Sequence, residues 1–260
     1  MRLLVASLRF LTVFLMIVAF LFTMSVVWGV VRRDRWKRIH RANRILTRFC
    51  RFGLWLLKVR VSPIGIENAP TGRNALYVGN HLSYLDVLVI SSRVSVCFVT
   101  SKEIKSTPVL GQICQMAGCL FVERRNRMNI HNEVKEIAEG LQQGLSVAIF
   151  PEATSTNGEQ ILRFRRPLYV AAIDALTPVV PFCLNYRRVG GSPINRTSRD
   201  NVFWYGDMPF VPHLWALCRS GGVEVDLHFL AAVPISPEVD AALLAERTQG
   251  QVESVFQPVR

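Results

Sequence analysis

The sequence lacks the cysteine and histidine spacings that are typical of metal sites and of disulfide-rich domains. Its six cysteines include no Cys-x-x-Cys pair, and none of its five histidines has neighbours spaced like metal ligands. There is no Gly-x-Ser-x-Gly elbow, which argues against a lipid hydrolase with a serine nucleophile. We therefore expect reduced, buried thiols, no metal and no other cofactor.

Acidic residues are almost absent from the first sixty positions, where Asp34 is the only one among 13 Lys and Arg. The whole chain has 31 Lys and Arg against 19 Asp and Glu, so the remaining 200 positions hold 18 of each sign. The excess positive charge therefore belongs to the N-terminal segment. Because these bases flank a long apolar run, lipid phosphates are a simpler partner than nucleic acid.

The apolar run covers residues 10–31, which are 22 positions without a charge and long enough to cross a bilayer core of about 30 Å. It exceeds a signal-peptide core and no small-x-small cleavage site follows, so we expect a retained membrane anchor. The heavier positive flank places residues 32 onward on the cytoplasmic side. Residues 45–60 interleave bases with bulky apolar side chains, which fits either an interfacial helix or an ordinary helix packed on the domain.

The rest of the chain alternates short apolar strands with longer helical segments, a pattern typical of a layered α/β domain. We divide the chain into a membrane-anchoring segment, 1–62, and a cytoplasm-facing domain, 63–260. Whether 10–31 crosses the bilayer or forms a monotopic hairpin with 45–60 is open. The predicted strands are 75–78, 96–100, 119–122, 145–150, 179–185, 202–205 and 223–230, and the predicted helices are 85–93, 108–116, 129–143, 164–175 and 237–256.

A histidine and an aspartate lie five positions apart in residues 80–86, which read Asn-His-Leu-Ser-Tyr-Leu-Asp. An aspartate that accepts from one ring nitrogen leaves the other free to take a proton from a hydroxyl. Five residues of one regular helix turn through about 140° net, so the two side chains would diverge. They meet if His81 lies in a loop and Asp86 in the first turns of the following helix. The spacing also arises by chance, so the pair alone does not establish catalysis.

A second polar segment, 150–158, reads Phe-Pro-Glu-Ala-Thr-Ser-Thr-Asn-Gly and follows a predicted strand. Sites in α/β proteins commonly lie where strands end in polar loops. Hydroxyl groups and the arginines that follow at 163, 165 and 166 are groups that bind phosphate. The same residues also fit ordinary roles, because Thr154 and Ser155 could cap a helix and Glu152 could pair with an arginine.

Together these segments resemble the glycerolipid acyltransferase family, with the resemblance covering about residues 60–235. The family's Asn-His-x-x-x-x-Asp motif is matched in full at 80–86, and Arg124 fits its second block, an arginine after a short apolar strand. Its Phe-Pro-Glu-Gly-Thr block is matched in part at 150–155, and its proline-containing strand at 179–182. The four blocks come in family order. The resemblance implies a layered mixed sheet flanked by helices.

The resemblance also implies a reaction. His81 is the general base, Asp86 holds its ring, and a lysolipid hydroxyl attacks an acyl thioester without a covalent enzyme intermediate. The donor is acyl-CoA or an acylated carrier protein. The implied substrate-binding residues are Asn80, Ser83, Lys102, Arg124, Pro151, Glu152, Ala153, Thr154 and Ser155.

Two departures from the family pattern bear on the acceptor. Ala153 replaces a glycine, and Ser155 replaces an arginine common in enzymes that use lysophosphatidate. We expect 1-acylglycerol-3-phosphate as the acceptor, giving phosphatidic acid. The alternatives are another lysophospholipid, a lyso-aminolipid, or a catalytically silent lipid-binding protein.

Overall fold

A computed structural model describes residues 2–31, 33–123 and 130–260. The helices are α1 Arg2–Val30, α2 Arg35–Leu56, α3 Leu85–Ser91, α4 Lys102–Lys105, α5 Leu110–Met116, α6 Ile130–Gln142, α7 Val170–Asp174, α8 Phe210–Arg219 and α9 Ala241–Glu253. The strands are β1 Val59–Ile64, β2 Leu76–Gly79, β3 Cys97–Ser101, β4 Leu120–Val122, β5 Val147–Ile149, β6 Val179–Val189, β7 Ser192–Pro193 and β8 Val223–Phe229. Short 3-10 helices cover Ile66–Asn68, Pro167–Tyr169 and Arg199–Asn201.

The strands form one sheet in the order β1-β8-β6-β2-β5-β3-β4, and β7 pairs with the end of β6. β6 runs antiparallel to β8 and β7, and every other neighbouring pair is parallel. Successive side chains of β2 point to opposite faces, and both faces are buried because helices cover them. The predicted layered mixed sheet flanked by helices is therefore confirmed.

The strand predicted at 202–205 is wrong. The chain there leaves the 3-10 helix Arg199–Asn201, and the N–H groups of Val202 and Phe203 both donate to the carbonyl of Arg199. Val202 and Phe203 are nevertheless fully buried. The apolar residues of this segment are those of a buried loop. A buried segment need not pair with a strand, so apolar composition alone gave the wrong prediction.

Several predicted helices have different ends in the structure. α7 begins only at Val170, because the N–H of Arg165 bonds back to the carbonyl of Pro151 and a 3-10 helix intervenes. α9 begins at Ala241, where the side chain of Asp240 caps it, and ends at Glu253. α3 and α5 are each two residues shorter than predicted, and position 129 of the α6 prediction lies outside the described residues.

The helix predicted at 45–60 begins ten residues earlier and ends sooner. Asp34 accepts from the N–H of Lys37 and caps α2 at its start. Lys58 has a positive φ of 56°, which ends the helical path. Residues 59 and 60 belong to β1, which pairs with β8 in parallel register. Alternating β-branched residues favour this strand over a continued helix.

The apolar helix α1 is long enough to cross a membrane over Leu3–Val30 by length and composition. It is also docked on the domain at both ends. The guanidinium of Arg9 donates to the carbonyl of Cys218 at 3.2 Å, and the indole of Trp28 donates to the carbonyl of Met116 at 3.2 Å. One stripe is buried and the opposite stripe is exposed, with Leu4 at 75%; the buried positions are Ala6, Val13, Phe20 and Met24.

Candidate active site

The loop after β2 is held against β6 by close backbone approach and by one side chain. A Cβ at Gly79 would collide with the carbonyl and ring of Phe182, so glycine is required at the end of β2. The amide of Asn80 then donates to the carbonyl of Leu184 at 3.0 Å and accepts from its N–H at 2.8 Å. This buried amide takes the place of a paired strand residue. It fixes where the chain leaves the sheet and therefore where His81 stands.

His81 and Asp86 lie together, as the spacing predicts. His81 is in the loop, Asp86 is in the first turn of α3, and the imidazole Nδ1 is 2.8 Å from Asp86 Oδ2. Asp86 is fully buried, whereas the His81 side chain is 20% exposed. Because an ionised carboxylate only accepts, Nδ1 carries the proton in the neutral ring and Nε2 holds the lone pair.

Asp86 accepts three further hydrogen bonds. Its Oδ2 accepts from the N–H of Leu82 at 2.7 Å and the N–H of Ser83 at 2.9 Å, and its Oδ1 accepts from the hydroxyl of Tyr186 at 2.7 Å. Four donors around one carboxylate leave it a single orientation. The main chain of the motif thus positions the aspartate that positions the histidine.

Two residues of the loop after β5 support His81 from the other side. The ring of Phe150 stacks on the imidazole at a centroid distance of 3.9 Å and an interplanar angle of 14°. Glu152 Oε1 accepts from the N–H of His81 and Oε2 from the N–H of Leu162, both at 2.8 Å. Burial raises the pKa of Glu152 to about 7, against the lowering effect of these two backbone donors.

The structure therefore places Asn80, Ser83 and Glu152 differently from a substrate-facing set. All three are buried at 2% exposure or less. Asn80 and Glu152 bond to main chain, as described, and the Ser83 hydroxyl accepts from the N–H of Leu85 at 3.3 Å. Glu152 joins the two loops around His81, Asn80 fastens the first loop to β6, and Ser83 bonds locally at the start of α3.

Of the remaining predicted positions that the structure describes, Pro151 is buried and the others lie nearer the surface. Ala153 has a left-handed φ of 61°, a conformation that favours the glycine it replaces. Thr154 is exposed and Ser155 is half-buried. Lys102 begins α4, and its ammonium is 3.2 Å from the buried carboxylate of Glu133. Arg124 lies outside the described residues.

A cavity of about 990 Å³ adjoins the loop after β5, where Phe150, Pro151 and Ala153 border it. Its walls come from the apolar side chains of β3, β4, β5 and α9, and the exposed arginines at 163, 165 and 166 line it. Glu246 lines the same cavity. Within the described ranges, no group of three or more His, Cys, Asp and Glu side chains is placed to hold a metal ion.

Sequence reasoning missed Tyr186. The predicted strand 179–185 ends one residue before it, whereas β6 continues to Val189. The available signal was the spacing of the bulky side chains Phe182, Leu184 and Tyr186, which follow each other at every second position, as on one face of a strand. Nothing in the local sequence indicates that this tyrosine meets Asp86, which is 100 positions away. The arrangement as a whole can take a proton from a hydroxyl placed at His81 Nε2.

The sequence is similar to several known proteins. A family model described as Acyltransferase matches residues 60–185. A lyso-ornithine lipid O-acyltransferase of Rhizobium meliloti is 36% identical over 168 residues, covering 62% of this chain and 58% of that protein. Another of that name from Brucella abortus is 30% identical, covering 86% and 84%. A 1-acyl-sn-glycerol-3-phosphate acyltransferase of Neisseria meningitidis is 29% identical, covering 81% and 92%.

A solved structure shares the fold. The crystal structure of the 1-acyl-sn-glycerophosphate acyltransferase from Thermotoga maritima superposes with a TM-score of 0.67 and covers 98% of this chain and 95% of its own. The two sequences are 20% identical, so the similarity concerns the arrangement of helices and strands.

Proposed function

Because the chain belongs to the acyltransferase family of lysolipid enzymes, we propose that it moves a fatty acyl group from an acyl thioester to the hydroxyl of a membrane lysolipid. His81 Nε2 takes the hydroxyl proton while the oxygen attacks the thioester carbonyl. The carbon–sulfur bond then breaks, and the imidazolium returns a proton to the departing thiolate. The observation that carries this proposal is the 2.8 Å contact between His81 and the buried Asp86.

The expected contribution of the pair can be sized. General-base assistance is typically worth about 10²–10⁴ in rate, and the rest must come from positioning and from stabilisation of the oxyanion. The stacked ring of Phe150 and the four donors on Asp86 leave the imidazole little freedom to turn. The imidazole therefore occupies the reactive orientation in most of the molecules.

For the acceptor we favour a lyso-aminolipid, with lyso-ornithine lipid as the first candidate. Such a headgroup carries a carboxylate and an ammonium. The cavity beside Phe150 carries both signs of charge, the arginines at 163, 165 and 166 and the carboxylate of Glu246. An arginine at position 155 would bind a phosphate monoester through two hydrogen bonds, and Ser155 lacks both its charge and this bidentate geometry. 1-Acylglycerol-3-phosphate is the second candidate, since the Neisseria relative carries that name.

We also propose that α1 is monotopic: it lies in one leaflet of the membrane and does not cross the bilayer. A crossing helix needs lipid or protein around it through about 30 Å of hydrocarbon. α1 is hydrogen-bonded to the α/β domain near both of its ends, at Arg9 and at Trp28, so a perpendicular crossing would draw that domain into the bilayer. The exposed, stacked rings of Phe52 and Trp55 on α2 suit the lipid–water interface. The positive flank favours the cytoplasmic side, where acyl-CoA and acylated carrier protein are present.

The test is a product assay with purified protein in lipid vesicles. Lyso-ornithine lipid, 1-acylglycerol-3-phosphate and lysophosphatidylethanolamine are offered with acyl-CoA or acylated carrier protein, and products are identified by mass spectrometry. His81→Ala should lower the rate at least about 100-fold. His131→Ala is the matched control, because that histidine is exposed on α6 and distant in sequence from the motif.

The outcomes separate the proposals. Full activity of His81→Ala would exclude the base mechanism. Vesicle binding by the wild type without any product would favour the lipid-binding alternative. Preference for 1-acylglycerol-3-phosphate over the aminolipid would overturn the assignment of the acceptor and leave the reaction class intact.

A further inference from the structure

Tyr186 is the one side-chain donor to Asp86, besides the histidine, among the described residues. Its hydroxyl is 2.7 Å from Asp86 Oδ1, and its ring is 5% exposed. Burial raises the pKa of Tyr186 well above its usual range, and the neighbouring Asp86 charge adds to this. The hydroxyl therefore keeps its proton at neutral pH and acts as a donor to the carboxylate.

The backbone at this point is irregular in a way that aims the tyrosine. The register between β6 and β8 shifts between Tyr186 and Arg188, so Arg187 is an extra residue in β6. Arg187 and Arg188 are both exposed, although neighbouring residues of a regular strand point to opposite faces. β-Bulges are frequent next to active sites, where they redirect a side chain. The ring of Tyr186 packs edge-on against Phe203, with the ring centroids 5.4 Å apart, and this contact limits its movement.

We propose that Tyr186 is a positioning residue of the transfer reaction, holding Asp86 Oδ1 so that Oδ2 faces His81 and sharing the negative charge that steadies the imidazolium. This inference rests on the proposed function. A hydrogen bond to a buried carboxylate spreads its charge, so the carboxylate attracts the proton of the imidazolium less strongly. Tyr186 would thereby keep His81 unprotonated, and able to act as a base, at lower pH.

Other ionisable groups face the same pair and must be held constant. The carboxylate of Glu152 accepts a hydrogen bond from the backbone N–H of His81. Tyr84 lies near Tyr186, and the hydroxyl of Tyr84 is hydrogen-bonded to Nδ1 of His213 at 3.0 Å. Tyr186→Phe leaves all of these in place and removes a single oxygen. Tyr169→Phe is the matched control. Tyr169 is equally buried, and its hydroxyl bonds to Thr248, away from the dyad.

The experiment compares the pH dependence of kcat/KM for the wild type and the two phenylalanine variants. For Tyr186→Phe we expect the rising limb of kcat/KM to move up by about one pH unit, so that the rate on that limb falls by up to about tenfold, with KM within twofold. Tyr169→Phe should lose comparable stability and keep the wild-type pH profile. Parallel profiles for all three proteins would overturn the proposal, because a merely structural tyrosine affects only the folded fraction.

A second readout does not depend on turnover. The ¹⁵N chemical shifts of the His81 ring at neutral pH report its protonation directly. We expect a larger doubly protonated fraction in Tyr186→Phe than in the wild type or Tyr169→Phe, and equal fractions would refute the inference. A wild type that makes no product from any lysolipid, yet shows this difference, would defeat the proposed function and support the coupling of Tyr186 to His81.

Discussion

Substitution of Asp86 by asparagine or by alanine should separate the charge of this residue from its hydrogen bonds. In Asp86→Asn, the amide oxygen can take the place of Oδ2 and accept from the N–H groups of Leu82 and Ser83 and from His81. The amide nitrogen then faces Tyr186, whose hydroxyl can rotate to accept. All the hydrogen bonds are kept, the histidine tautomer included, and the negative charge is lost.

The two variants should differ sharply in stability. In Asp86→Ala, the N–H groups of Leu82 and Ser83 lose their partner in a buried site, at about 1–3 kcal/mol each, or about 2–6 kcal/mol together. That is a large part of the 5–15 kcal/mol or so that holds a typical domain folded. Asp86→Asn loses only the charge assistance of these bonds, so we expect it to fold with a loss of about 1–2 kcal/mol.

The loss of activity in Asp86→Asn measures the carboxylate charge. Opposite charges about 4 Å apart attract by about 4 kcal/mol at an effective dielectric constant of about 20. Each 1.4 kcal/mol or so is tenfold in rate, so kcat should fall by about 10²–10³. The assay is acyl transfer in vesicles, with urea unfolding and circular dichroism on the same samples. An Asp86→Asn protein that retains half of the wild-type kcat, or that unfolds as easily as Asp86→Ala, would refute this reasoning.

Three further predictions concern the loops around the dyad. Because burial raises the pKa of Glu152 from 4.5 to about 7, the folded state binds an extra proton between these values, and stability should fall by up to about 3 kcal/mol as pH rises through that window. Urea unfolding at pH 5 and pH 8 tests this, and Glu152→Gln, which does not titrate, should lose the difference. Asn80→Ala orphans the N–H and carbonyl of Leu184 and should cost about 2–4 kcal/mol in the same assay; a loss under 1 kcal/mol would contradict it. Ala153→Gly relieves a left-handed φ of 61° and should raise stability by about 0.5–1 kcal/mol, so a lower urea midpoint would show that this backbone is not strained.

The parts that sequence predicted well depend on neighbouring residues. The placement of His81 in a loop and Asp86 in the next helical turn follows from helical geometry over five positions. Six of the eight strands in the described residues, β2 to β6 and β8, were predicted from apolar runs between turns, whereas β1 and β7 were not predicted. The segment 202–205 has the same composition as a strand, and only the position of a bonding partner distinguishes the two. Pairing is a property of two segments, so a single segment does not reveal it.

The roles of the motif residues also depend on contacts that their order along the chain does not indicate. Glu152 follows a strand and precedes hydroxyl groups, which suggested contact with a headgroup. The structure directs both of its oxygens to backbone N–H groups, one of them on His81, 71 positions earlier. Whether a polar side chain is buried depends on which loop packs over it. Here the strand order places β2 beside β5 and β6, and this order brings the loop after β2 against the loop after β5.

By itself, the sequence determined the apolar basic segment, the alternation of strands and helices, and the histidine–aspartate pair, because each is a pattern of composition or spacing along the chain. Tertiary structure alone decided that α1 lies against the domain, that two loops meet around one imidazole, and that Tyr186 completes the shell of Asp86. These features join residues some 70 to 200 positions apart. The register of strands and the packing of helices place such residues together, and neither is written in local periodicity.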